Sequence, residues 1–150
     1  MNERKIEYDR IDGGPIEGQQ VEGCTDLLHK YLHEFISKDA LKKDVEYCFR
    51  KGRVVAAYND DELVGVVVGV HTPFFEKFHI GHIAVEKEFQ GMGIGRELTE
   101  KVIPEDEDSS VHLNMDNPGV EKFYEKLGFK QTHKRFKRTS KKGTEVKPSD

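Results

Sequence analysis

The sequence predicts an α+β fold, a mixed and mainly antiparallel sheet flanked by helices. Three observations predict it. Two early segments repeat apolar residues every three or four positions, the period of a helix with one buried face. Runs rich in β-branched residues then follow one another with short turns between them, as antiparallel strands do. A strand–helix–strand unit comes next, and such a crossover makes its two strands parallel.

Residues 4–11 read as a weakly patterned first strand. Cys24, Leu27, Leu28, Tyr31, Leu32, Phe35 and Ile36 share one face of a helix. A shorter helix follows Asp39 with Leu41, Val45, Cys48 and Phe49 inward, and Gly52 is expected to end it at positive φ. Val54–Tyr58 and Leu63–Val70, joined at Asn59-Asp60-Asp61, read as an antiparallel hairpin. Pro73 breaks the pattern, and an aromatic loop with Phe74, Phe75 and Phe78 leads to a strand at 79–85. Strict alternation along that strand puts His79, Gly81, Ile83 and Val85 on one face and His82 on the other. A helical stretch ends before Pro104, and a short strand is expected at 111–115. Asn117-Pro118 opens a helix with Val120, Phe123, Tyr124 and Leu127 inward, and Gly128 closes it. Residues 129–138 read as a last strand, with a turn at 141–143.

The chain of 150 residues suits one domain spanning 1–150. Hydrophobic and charged residues each make up 35%, as expected of a small domain with a well-solvated surface. No run is apolar enough to cross a bilayer, and the N-terminus does not resemble a signal peptide. Cys24 and Cys48 read as two buried thiols, and a cytoplasmic location is expected. With a net charge of -4, nucleic acid is not expected as a partner, despite basic residues at 134–142. No metal site is expected.

Between the 79–85 strand and the following helix lies Gln90-Gly91-Met92-Gly93-Ile94-Gly95-Arg96. Alternating glycines permit a tight turn and close approach of a ligand, and the amides of a helix N-terminus favour an anion such as phosphate. A tight structural turn is the plain alternative. Gly95 is followed by Arg96-Glu97, which rules out a P-loop, and the glycines are out of register for a dinucleotide fingerprint.

Gln90 to Gly95 resembles the Q/R-x-x-G-x-G/A acyl-CoA motif of the GCN5-related N-acetyltransferases (GNAT). Asn117 to Phe129, with Phe123-Tyr124-Glu125-Lys126-Leu127-Gly128-Phe129, resembles that family's later block. The likeness covers about residues 79–130. It implies a sheet whose fourth and fifth strands splay apart around acyl-CoA. The amides of Gly91, Met92, Gly93, Ile94, Gly95 and Arg96 would meet the pyrophosphate. The backbone of Ile83, Ala84 and Val85 would pair with the pantetheine arm, and Asn117 would contact the arm further on. Acetyl-CoA is the implied co-substrate, and the acceptor is a small-molecule or protein amine. The implied acid is Tyr124, which periodicity alone also fits as a core aromatic. His79, six residues before Val85, is the implied base, with a strand-end surface histidine as the alternative. Residues 31–41 with Phe74, Phe75 and Phe78 are expected to wall the acceptor site; for the three aromatics the alternatives are contact with a second subunit in a homodimer and, the commonest fate, core filling. A binding module that holds acyl-CoA without chemistry is the competing function.

Overall fold

The computed structural model describes residues 5–71, 78–105, 109–111 and 118–130. The chain divides into two compact units, residues 1–112 and 113–150.

The first unit is built on a five-stranded sheet of order β1-β2-β3-β4-β5. The strands are β1 (Ile6–Arg10), β2 (Arg53–Asn59), β3 (Glu62–His71), β4 (Phe78–Val85) and β5 (Ser109–Val111). The first four pair antiparallel, and β4 pairs parallel with β5. At the tip of the β2–β3 hairpin Asp60 takes a φ of 54°, a conformation that a short polar side chain tolerates. The strand expected at 111–115 begins earlier, at Ser109, and residues 112–117 lie outside the described residues.

Helices α1 (Gly18–Leu32) and α2 (Lys38–Lys51) cover one face of the sheet. Ser37 caps α2 by accepting the Ala40 N–H at 3.2 Å, and Arg50 and Lys51 sit where the helix dipole favours cations. Val21, Cys24, Leu27 and Leu28 of α1 join Leu41, Val45, Cys48 and Phe49 of α2 over Val54, Val66, Val68 and Ala84 of the sheet. Burial of each large side chain contributes about 1.5–3 kcal/mol. Phe35 does not belong to this face. Helix α1 stops at Leu32, whose carbonyl accepts from both Phe35 and Ile36, and the tightened turn leaves Phe35 48% exposed. Gly52 ends α2 at a φ of −123°, not at positive φ. Its lack of a side chain serves packing instead, because a Cβ there would strike the Gly69 carbonyl of β3.

Helix α3 (Ile94–Val102) lies on the opposite face. Gly65 of β3 lets it come close, since a Cβ there would stand 3.0 Å from Leu98 and 3.2 Å from Ile94. Phe78 is 1% exposed and covers Gly69, so it takes the core-filling role among those expected of it. Phe74, Phe75 and Pro73 lie outside the described residues.

The pairing of β3 with β4 slips by one residue. Val68 stands opposite His82, but Gly69 stands opposite Ile80, so Gly81 is the extra residue of a β-bulge. The alternation expected along β4 therefore reverses at Gly81.

In the second unit, α4 spans Pro118–Lys126. Gly128 (φ 94°) ends it, with its N–H on the Glu125 carbonyl and the Phe129 N–H on the Tyr124 carbonyl. This is a Schellman closure, in which the left-handed glycine lets two helix-end carbonyls find donors. Phe129 and Lys130 follow it outside any strand, and the expected strand and turn beyond 130 lie outside the described residues.

Candidate active site

Strand β4 leads into the glycine loop through a single 3₁₀ turn, Lys87–Phe89. The Phe89 side chain is buried and pins this turn to the core. The Glu86 N–H bonds the Val64 carbonyl at 2.8 Å. In an antiparallel ladder such bonds recur every second residue, so Ala84 and His82 also bond toward β3. The N–H and C=O of Ile83 and Val85 then turn to the other edge. Among the described residues, β5 pairs with β4 only over Phe78–Ile80. Beyond Ile80 the β4 edge that faces away from β3 runs alongside residues that lie outside the described ones. The Val85 carbonyl on that edge accepts from Gln90 Nε2 at 2.9 Å, so the Gln90 side chain ties the loop to the strand. The backbone of Ile83 and the Val85 N–H face away from β3, whereas the Ala84 backbone bonds toward it.

Gly91 and Gly93 both take φ 84°. A Cβ at either position would meet nothing within 4 Å, so conformation alone demands glycine there as far as the protein's own atoms go. Gly93 is the N-cap of α3 and supplies no side-chain cap, while its carbonyl accepts the Glu97 N–H at 3.1 Å. Ile94 is buried and begins the helix, and Gly95 and Arg96 lie in its first turn. Met92 is exposed, and Arg96 is an outward side chain in contact with Glu100 at 3.3 Å. The helix N-terminus is a favourable place for an anion.

The bulge settles where the two histidines point. Residues opposite each other in a ladder share a face. His82 stands opposite Val68 and His79 opposite Val70, and both valines pack on the α1/α2 side. His79 therefore shares a face with His82, not with Ile83 and Val85. Strict alternation fails because Gly81 adds one residue between them.

Three features of this face were not foreseen. His82 Nε2 lies 2.9 Å from Asp44 Oδ2 of α2. Tyr31 of α1 donates to Glu86 Oε1 at 2.8 Å and accepts the Lys87 N–H at 2.8 Å. Lys30 bonds the same Glu86 oxygen at 2.7 Å. Lys30, and after it Tyr31, hold the Glu86 carboxyl below its ordinary value, so Glu86 is a poor proton acceptor. Cys48 and the more deeply placed Cys24 are free thiols pushed up to about 12, in both cases first by burial. Glycine inside a strand is a sequence signal for the bulge. No sequence pattern links Asp44 to His82, which lie 38 positions apart.

In the second unit Tyr124 is 3% exposed, and burial raises its phenol above the ordinary value. Its ring meets Phe123 at 5.0 Å and Phe129 at 5.6 Å, both edge-on. Asn117 lies outside the described residues. A cavity of about 220 Å³ lies between α1 and α2, lined by Val21, Glu22, Lys42, Glu46 and Arg50 among others. It contains no residue expected in the site. Among the described residues no cluster could hold a metal ion, and no helix is long and apolar enough to cross a membrane.

Residues 15–145 match the family model described as the acetyltransferase (GNAT) domain. The chain belongs to the GNAT acetyltransferase family. No curated protein matches it. Among solved structures, protein PH1933 of Pyrococcus horikoshii OT3 is 23% identical, with 88% of this chain and 93% of that one covered and a TM-score of 0.72. Aminoglycoside N-acetyltransferase AAC(6')-Iy, solved with CoA, is 15% identical over 93% of this chain and 97% of its own, with a TM-score of 0.70. An aminoglycoside acetyltransferase from an uncultured soil metagenomic sample, solved with sisomicin, is 17% identical over 91% and 97%, with a TM-score of 0.63. These likenesses show the GNAT fold.

Proposed function

We propose that the chain is an N-acetyltransferase that carries acetyl from acetyl-CoA to a primary amine by direct attack in a ternary complex. The observation that carries this reading is the loop of left-handed glycines, Gly91 and Gly93, that joins the end of β4 to the start of α3. The C=O of Ile83 and the N–H of Val85, both directed away from β3, suit strand-like pairing with a pantetheine arm. The space where Cβ atoms would stand at Gly91 and Gly93 suits close approach of a pyrophosphate to the loop amides. The match over 15–145 spans both compact units, which supports treating 1–150 as one catalytic domain.

The chemistry follows from what the thioester needs. An alkylammonium, with a pKa of about 10, must lose a proton before it can attack. The nitrogen–carbon bond then forms, the carbonyl oxygen takes up negative charge, and the carbon–sulfur bond breaks. The Ile83 N–H is the donor assigned to that oxygen. Tyr124, kept as a neutral phenol by its burial, is assigned as the acid that protonates the departing sulfur. The amine sheds two protons along the way, one before and one after attack, and the sulfur gains one. Asn117 is assigned to the cofactor arm. His79 faces α1 and α2, the helices assigned to the acceptor side, and stays a candidate base.

Amine-rich small molecules are the first acceptors to test, because two similar structures are described as aminoglycoside acetyltransferases. Two free buried thiols suit a reducing compartment, and the cytoplasm is the location assigned. The test is a product mass after incubation with acetyl-CoA and a mixed amine library. A product 42 Da heavier than one amine supports the reading. Tight acetyl-CoA binding with no such product overturns it in favour of a binding module, a reading that the purely structural fit of Tyr124 in its helix end would also satisfy.

A further inference from the structure

We propose that His82, held by Asp44, is the group that takes the proton from the acceptor amine; this rests on the acyltransferase reading above. Three proton acceptors stand on the α1/α2 face of β4 among the described residues: His79, His82 and Glu86. Glu86 is already engaged by Lys30 and Tyr31. His79 lies in the stretch of β4 still paired to β5, opposite Ser110. His82 is the first residue past the bulge, and it directly precedes Ile83, the residue assigned to the thioester oxygen. A strand rise of about 3.3 Å per residue places His82 nearer that point than His79 by roughly two residues' length, allowing for the bulged glycine.

The contact with Asp44 fixes the ring chemically. A carboxylate oxygen only accepts, so at 2.9 Å the Nε2 of His82 carries the hydrogen. The neutral ring then has its lone pair on Nδ1, the one atom able to take a proton. The step is simple: the ammonium gives one proton to Nδ1 and becomes a free amine, and the imidazolium formed is stabilised by the carboxylate beside it. The imidazole remains in partial contact with water, its side chain being 20% exposed, so it can pass the proton on to solvent. The other titratable groups near it on this face are the Cys48 thiol of α2, neutral because it is pushed up to about 12, and Lys30 and Tyr31 of α1, bound to Glu86. On β4 it is His79, with Glu86 just past the strand's end. From β3 the face presents only Val66, Val68 and Val70.

The test measures kcat/KM for the acceptor against pH in wild type, His82→Gln, Asp44→Asn and His79→Gln, with acetyl-CoA affinity measured separately by calorimetry. His82→Gln keeps a polar side chain able to bond Asp44, and the melting temperature checks its fold. We expect a fall of roughly 10²–10⁴-fold and loss of the acidic limb in His82→Gln. In Asp44→Asn, a positioning change, kcat for the acceptor falls with its KM unchanged, because the ring loses the carboxylate that fixes which nitrogen carries the hydrogen. Acetyl-CoA affinity stays at the wild-type value in both. Should His82→Gln fail to fold, the Asp44→Asn turnover decides. Wild-type turnover in both variants, or loss of the acidic limb in His79→Gln alone, overturns the inference and leaves the acyltransferase reading standing. Absence of any amine turnover in wild type overturns both.

Discussion

The glycine loop and the end of α4 use the same backbone device for opposite purposes. Gly93 at φ 84° and Gly128 at φ 94° both sit in the left-handed region, with open space where a Cβ would stand. At Gly128 the conformation closes a helix, and the freed carbonyls of Tyr124 and Glu125 find donors within the chain. At Gly93 it starts a helix, with no side chain capping the first-turn amides. One glycine completes its own hydrogen bonding; the other presents donors outward. The family's two motifs therefore differ in what they imply. The first has a feature that packing does not account for, and the second is accounted for, down to the Tyr124–Phe129 ring contact, by helix termination.

Tyr124 is the place where this contrast breaks most easily. If the hydroxyl only crowns a packed ring, Tyr124→Phe is silent. If it donates to the leaving sulfur, Tyr124→Phe lowers turnover by roughly 10²–10⁴-fold while acetyl-CoA affinity is unchanged. Steady-state kinetics with the acceptor found by the library screen decides between them, and wild-type turnover would reduce the motif to a helix stop.

Gly93→Val tests the other side. Acetyl-CoA is expected to raise the melting temperature, by about 2.7 kcal/mol of stability at one hundred times its Kd. The branched side chain at positive φ costs roughly 1–2 kcal/mol of stability and occupies the space in front of the loop. Circular dichroism should show a folded protein, and thermal denaturation should show no shift with acetyl-CoA. A normal shift in the folded variant would make the loop a plain turn.

High pH separates the regions in a third way. The folded Tyr124 phenol lies above its unfolded value of about 10 because its charged form is poorly solvated. Its contribution to stability is complete below that value and is lost as the pH rises toward the folded one. Cys24 and Cys48 behave alike between about 9 and about 12. Denaturant titrations at pH 8 and 11 should therefore show a smaller loss in Tyr124→Phe than in wild type, with the thiols common to both. Equal losses would show that the phenol is not desolvated.

Much of this was legible in the sequence because it depends on local period or local turn chemistry. The residues Leu41, Val45, Cys48 and Phe49 face the core as their spacing requires, and Gly128 ends α4 as a left-handed glycine should. The errors arise where one residue changes a count. Phe35 keeps the helical spacing but falls past the point where α1 tightens into a turn. His79 keeps the parity of Ile83 in the sequence, yet Gly81 is spent on a bulge, so its side chain reaches the other face. Gly52 is held to glycine by β3, seventeen residues away in the chain, and not by its own φ, so the helix-end pattern marks the residue but not its constraint. The Asp44–His82 contact needs the packing of α2 on β4, which no local pattern encodes.

The smallest effect is also the cleanest control on the opening contrast. Gly91→Ala and Gly128→Ala place the same methyl group on backbones at φ 84° and φ 94°, and neither methyl meets another atom within 4 Å. The steric cost of a left-handed alanine is thus the same in both, roughly 1–2 kcal/mol. Chemical denaturation should report losses of that size for each variant, with unchanged m-values. Binding should not be symmetrical. At Gly91 the methyl projects into the space assigned to the pyrophosphate, so acetyl-CoA affinity measured by calorimetry should fall; at Gly128 the helix end has no assigned ligand, and affinity should stay at the wild-type value once the protein is folded. Equal affinities in the two variants would mean that the loop, like the helix end, holds its glycine for the chain alone.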